Sequence, residues 1–242
     1  MKALLMGIVI VLAALIAGCA AAGTYRDPGA ASMYQFDELD SYGVWVSLTP
    51  YGRVWKPDVG LDWAPFEYGH WEYTEPEWTW VSDEPFGWLV YHYGNWVYAP
   101  EYDSWVWVPG DGQWSPARVE WRNYGDYVCW APLPPRGVAL PQPWERYEGG
   151  TRVWNVVRAG DFTNDNVGRF RVQGPEVRPE GPGVRIFNRT PDPKMIEQRS
   201  GRAVRNVKIE REPVRMGNRE FQKMRVPPAE PQRTEKAKSK TE

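Results

Sequence analysis

Between Trp45 and Trp130 the chain holds thirteen of its fifteen tryptophans, and they are evenly spaced. Trp55, Trp63 and Trp71 are followed by Trp80, Trp88 and Trp96, and then by Trp107, Trp114 and Trp121. Corresponding members of successive groups lie 25 to 27 residues apart. A fixed period of this length marks an internal repeat and constrains the fold more than any local motif. The units run from Val44-Trp45 to Tyr68-Gly69, from Trp71 to Tyr93-Gly94, and from Trp96 to about Val119, with a partial fourth from Trp121 to Pro135.

Within each unit, short aromatic and β-branched runs alternate with Gly, Pro, Asp and Asn clusters. The runs Trp78-Thr79-Trp80-Val81 and Trp105-Val106-Trp107-Val108 have period two, which predicts short antiparallel strands. No helical period survives the prolines and glycines. The expected fold is mainly β: an antiparallel repeat domain, as a meander or barrel-like sheet with two or three strands per unit, then a small β-rich segment with one short helix, and a disordered tail. Alternation puts Trp78 with Trp80, and Trp105 with Trp107, on one face each. A buried indole covers roughly 150–250 Å², and thirteen rings between Trp45 and Trp130 are more than a small core can hold. The expectation is therefore that some line a surface. Trp63, Trp71, Trp88, His92, Trp96, Trp105 and Trp107 are the candidate binding surface, for a protein partner or a glycan.

The N-terminus carries a different signal. Lys2 precedes an apolar run from Ala3 to Ile16, and Ile16-Ala17-Gly18-Cys19 closes it. A charge, an apolar stretch and small residues describe a secretory signal peptide. The last four residues resemble a bacterial lipobox, which implies cleavage after residue 18 and a lipid on Cys19. An uncleaved anchor helix over Ala3–Ala22 is the alternative. Either reading tethers the protein to a membrane and exports the rest. Ala20, where Asp is absent, resembles lipoproteins sent to the outer membrane, facing the periplasm. The expected organisation is a signal peptide over 1–18, a flexible tether over 19–40, the Trp-rich domain over 41–135, a Pro-rich linker over 136–150, a β-rich segment over 151–210, and a disordered basic tail over 211–242.

With Cys19 acylated, Cys129 is left alone, so no disulfide framework is expected. Cys129 reads as a buried small hydrophobe. The net charge of -2 conceals an asymmetry: 6 Lys+Arg against 15 Asp+Glu over 41–150 give -9, and 21 against 12 over 151–242 give +9. The basic part can seek an acidic partner or fold back on the acidic body. In the second half, Arg152–Val157, Gly168–Val172, Val184–Asn188 and Arg202–Ile209 read as strands. Pro191–Gly201 reads as a helix, capped by Asp192 or Thr190 and ended by Gly201.

Several motifs taken together identify a resemblance. Phe86-Gly-Trp-Leu-Val-Tyr-His-Tyr-Gly-Asn-Trp96, Trp105-Val-Trp-Val-Pro-Gly110, Pro116-Ala-Arg-Val-Glu-Trp121 and Trp130-Ala-Pro-Leu-Pro134 occur in order. They resemble the exported bacterial proteins grouped as the domain of unknown function 6600. Asn188–Pro193 and Ser200–Arg205 look like the second half of that family. Cys129 departs from its pattern, where Gly is expected. The resemblance implies an envelope protein and carries no activity.

Known catalytic patterns are missing: there is no nucleophile elbow, no Walker loop and no dinucleotide fingerprint. Two histidines, His70 and His92, fall short of a zinc set, so no metal or cofactor is expected, and His92 reads as a packed sheet residue. Asp62, Glu67, Asp83, Glu84, Asp103 and Glu120 are the acidic candidates for glycoside hydrolysis, a remote alternative that requires two of them to converge. The aromatic region is acidic and the basic region poor in aromatics, the opposite of a nucleic-acid groove. The sequence points to a non-catalytic, lipid-anchored envelope protein with a structural or protein-interaction role. A glycan-binding module is the alternative.

Overall fold

The computed structural model describes residues 36–75, 77–110, 112–146, 150–172 and 185–227. The signal peptide, Cys19 and nearly all of the tether lie outside the described residues. Each repeat forms one β-hairpin. The first pairs β1 (Gly43–Leu48) with β2 (Gly52–Pro57), and the second pairs β3 (Gly69–Tyr73) with β4 (Trp78–Ser82). The third pairs β5 (Asn95–Ala99) with β6 (Ser104–Val108), and the fourth pairs β7 (Val119–Trp121) with β8 (Tyr127–Pro132).

The registers explain the period. Trp45 lies opposite Trp55, Trp71 opposite Trp80, Trp96 opposite Trp107, and Trp121 opposite Trp130. Each hairpin thus carries one cross-strand tryptophan pair, the unit by which large side chains stabilise a sheet. One further tryptophan, Trp63, Trp88 or Trp114, sits in the connection to the next hairpin.

The hairpins do not form one meander. Odd-numbered hairpins join in a four-stranded sheet, ordered β1-β2-β6-β5, through the register pair Trp55 and Trp107. Trp45, Trp55, Trp107 and Trp96 therefore form one row across this sheet. Even-numbered hairpins meet through their rings: Trp71 lies 4.7 Å from Trp121 and 5.7 Å from Trp130, all three around Phe162. Phe66 and Tyr91, 4.3 Å apart, bridge Trp80 of one group to Trp96 of the other. On the reverse face of the four-stranded sheet, Leu48, Val54, Val97, Ala99, Val106 and Val108 form a smaller apolar cluster.

A glycine two residues before the first tryptophan fits the rings to the backbone. In the third hairpin, a Cβ on Gly94 would lie 2.5 Å from the Trp107 indole and 2.4 Å from the Val108 carbonyl oxygen. Its φ of +64° is left-handed, a region in which glycine alone is free of strain. Gly43 and Gly69 lie in the same way beneath Trp55 and Trp80. The fourth hairpin has Val119 at this position, and there Trp130 reaches out instead to donate its indole N–H to the Phe66 carbonyl at 3.1 Å.

The second half belongs to the same body. The Pro-rich stretch connects β8 to β9 (Asn155–Arg158), which are hydrogen-bonded neighbours in the sheet β7-β8-β9. Trp154, Phe162, Val167 and Ile196 are buried in the core that holds the tryptophans. The one-turn helix α1 (Gly87–Val90) sits inside the repeat region, and α2 (Pro193–Ser200) is the expected helix. Asp192 caps α2 by accepting from Lys194 N at 2.9 Å, and Gly201 ends it at φ +66°.

Three expectations require correction. Residues 168–172 are not a strand; Val167–Phe170 is a 3₁₀ turn, because Gly168 is packed on the Glu67 carbonyl and only Val172 N reaches β9, at Val156 O. The stretches around Phe187 and Asn206 make isolated bridges to Asn123 and Tyr73 rather than full strands, although Val204, Val207 and Ile209 are half-buried as expected. Disorder does not begin at 211. β10 (Glu210–Met216) and β11 (Arg219–Arg225) form a hairpin whose Met216 and Phe221 are buried in the common core. Phe221 packs edge-on against Tyr93 and Phe36, and the Tyr93 hydroxyl bonds to the backbone of Gln222. One well-placed aromatic anchors a segment whose composition looks unable to fold. Residues 228–242 lie outside the described residues.

A charged cleft as the candidate functional site

The aromatic binding surface expected from the sequence does not form. Trp71, Trp96, Trp105, Trp107 and His92 are buried; Trp63 retains 9% of its surface and, alone among the expected residues, lines the charged cleft described below. Trp88 is half-buried and covered by Lys223, whose ammonium lies 5.1 Å from its ring centroid. Alternation correctly places the rings on shared faces, but those faces point into the core. His92 occupies a turn, not a strand. Its ring stacks on Trp114 at 5.4 Å and its Nδ1 lies 2.8 Å from the Ser115 carbonyl oxygen. Burial holds its pKa down at about 4, so it is neutral near pH 7. Cys129 is fully buried, and burial raises its thiol pKa, which keeps it unreactive. Among the described residues no group of three or more His, Cys, Asp or Glu is placed to hold a metal ion.

The acidic candidates are brought together instead. Asp62, Glu67, Glu84 and Asp103 line one cleft of about 850 Å³, whereas Asp83 and Glu120 do not. The opposite wall comes from the second half of the chain, with Arg146, Arg152 and Arg171. Tyr68 and Leu61, both exposed, are also part of the lining.

Local structure fixes these groups. Phe66, buried, holds φ +62°, a conformation a bulky residue keeps only where its surroundings impose it. The turn directs Glu67 inward. Gly168 permits the closest approach: a Cβ there would stand 2.2 Å from the Glu67 carbonyl oxygen. This proximity places Arg171 beside Glu67. Arg171 Nη2 and Arg152 Nη2 each lie 2.5 Å from a different Glu67 oxygen, and Ala64 N donates to Oε2 at 3.3 Å. Arg152 also donates to the Asp62 carbonyl at 3.2 Å.

Glu84 forms a second centre. It accepts from Trp63 Nε1 at 2.8 Å and from the Tyr91 hydroxyl. Burial outweighs both donors and raises its pKa to about 7. Glu84 is therefore an acid that can donate or accept near neutrality. Arg152 is shifted down from its ordinary value, by burial first and then by the charge of Arg171. The Asp103 carboxylate is held by the Tyr98 hydroxyl.

The three arginines were not visible as site residues in the sequence. Arg152 lies 85 residues from Glu67, and the sole hint is an acid set in the apolar run Trp63-Ala-Pro-Phe-Glu-Tyr68.

Fold and cleft together define a mainly β protein of tryptophan-paired hairpins with one charged groove between its two halves. Residues 36–137 match the model of a family of unknown function, DUF6600. The match spans all four hairpins and the acidic wall of the cleft, and ends before the three arginines. No curated protein and no solved structure matches the chain.

Proposed function

We propose that the protein is a non-catalytic component of a bacterial cell envelope, tethered to a membrane through a lipid on Cys19, with a binding role carried by the charged cleft. The observation that carries this reading is the cleft itself, whose walls come from segments far apart in sequence and whose volume suits a ligand. Support for the absence of catalysis comes from Glu67, which is neutralised by two arginines and so is poorly suited to be a base or nucleophile. Support for the envelope comes from the Ile16–Cys19 signal. Among the described residues no helix is long and apolar enough to cross a membrane.

The tether is tested by feeding cells an alkyne fatty acid: the chain takes up label, and Cys19→Ala abolishes it and releases the protein from membranes. Label on the Cys19→Ala chain contradicts the assignment. The binding role is tested with a photo-crosslinking amino acid at Leu61, in the cleft lining. An adduct with an envelope protein or glycan is expected from position 61 and not from exposed Arg205. Equal yields from both positions contradict it. A glycan is favoured over a protein by one observation: the Tyr68 ring, 45% exposed, offers a flat apolar face among hydrogen-bonding groups in the cleft.

A further inference from the structure

We propose that the cleft binds a carboxylate-bearing sugar, with the carboxylate seated at Arg152 and Arg171 and the sugar ring against Tyr68. This inference rests on the binding role proposed above and specifies its ligand.

Arg152 and Arg171 are largely buried and share one acid, Glu67. At bonding distance two cations meet one anion, while Asp62, Glu84 and Asp103 line other parts of the cleft, so this partly dehydrated wall keeps a local positive excess that an anion would complete. Arg146 lies close enough for its charge to add to the strain on Arg152. Hydrogen bonding gives the same answer. Arg152 Nε and Arg171 Nη1 are buried and have no acceptor, and such leftover donors call for an explanation. These donors sit on two different guanidiniums, and an anion with two acceptor oxygens can take one charge-assisted N–H bond from each, so the ligand group that fits is a carboxylate.

The other wall limits the rest of the ligand. Asp62 is exposed in the cleft, with Asp103 and Glu84 beside it. Carboxylates accept hydrogen bonds from hydroxyls, and Glu84, near its midpoint at neutral pH, can also donate one. Hydroxyls on one edge and a carboxylate on the other describe a sugar acid. The volume of about 850 Å³ accommodates a disaccharide-sized ligand.

The test is calorimetric titration of the full chain in detergent with paired probes. N-Acetylmuramic acid is compared with N-acetylglucosamine, and digalacturonic acid with its neutral counterpart, so each pair differs by the acid group. Alanyl-alanine and inorganic phosphate are the other arms. At least one sugar acid is expected to bind at least tenfold more tightly than its neutral partner. Arg152→Gln is expected to lose at least tenfold, Tyr68→Ala several fold, and Arg215→Gln, on the distant hairpin, nothing. Should Arg152→Gln misfold, Arg146→Gln, whose side chain bonds to the Gly150 carbonyl, replaces it with an expected loss of several fold. Equal binding of acid and neutral sugars overturns the carboxylate inference and leaves the binding role standing. Tighter binding of the dipeptide or of phosphate overturns the sugar. No binding of any probe, with no crosslink from Leu61, removes both.

Discussion

The Trp107 indole closes over Gly94 and donates its N–H to the Tyr93 carbonyl at 2.8 Å. Ring, glycine and hydrogen bond together set the spacing between the connection and the next strand. A side chain at 94 cannot coexist with this contact. Gly94→Ala is expected to lose about 1–3 kcal/mol from its left-handed backbone alone, plus the displacement of Trp107. Gly125→Ala carries the backbone part alone, because Gly125 also has positive φ (+52°) but nothing within 4 Å of its added Cβ. In urea unfolding, Gly94→Ala should be clearly the less stable of the two. Equal losses would remove the packing role of Trp107.

Trp96 and Trp45 occupy equivalent positions in the third and first hairpins, but Trp96 is fully buried and Trp45 half-buried. Trp96 also donates to the Val90 carbonyl at 3.0 Å. Trp96→Ala should cost about 3–5 kcal/mol, and Trp45→Ala less than half as much. Chemical denaturation of both variants checks the order, and a reversed order contradicts the assigned faces.

Phe221 is the apolar anchor of the last hairpin, with Lys223 over Trp88 and Arg211 over Trp114 at its flanks. Removing the anchor should free the hairpin without unfolding the body. Phe221→Ser is expected to make Arg219 and Lys223 rapid trypsin sites while the hairpin domain stays intact. Fast cleavage at these sites in the unmutated chain would show that the hairpin does not dock.

Glu84 gives a pH dependence of defined sign. Its folded pKa is raised from 4.5 to about 7. Between these values the unfolded chain ionises this group and the folded chain does not, so its contribution to stability is greatest below pH 4.5 and falls as pH rises to 7. The loss is at most about 3 kcal/mol. Glu84→Gln should flatten that decline relative to the unmutated chain in thermal melts from pH 4.5 to 8. Parallel curves would place Glu84 in contact with water.

Much of this was legible in the sequence. The 25-residue period marked the repeat units and their antiparallel strands, because each unit places one tryptophan pair across its two strands. The caps of α2 were legible because Asp192 and Gly201 act within one turn. What was hidden depends on distance along the chain. Nothing local tells whether Trp63 and Trp96 face inward, since alternation assigns a shared face without saying what covers it. The odd–even partnership of hairpins, with Trp55 opposite Trp107 and Trp71 against Trp121, is set by packing between repeats. The cleft was hidden for the same reason: Glu67 meets Arg152 and Arg171 only after β9 has paired with β8. Composition misled most around Phe221, where a single ring outweighs its charged neighbours.

The tryptophan ladder forms the interior of the protein. N-Bromosuccinimide oxidises accessible indoles, and peptide mass spectrometry reads the outcome at each position. In the native chain, Trp55, Trp80, Trp96, Trp107 and Trp130 should remain unmodified while half-buried Trp45, Trp88, Trp114 and Trp121 react first. Oxidation of Trp96 and Trp107 as early as Trp88, with the protein still folded, would contradict the account.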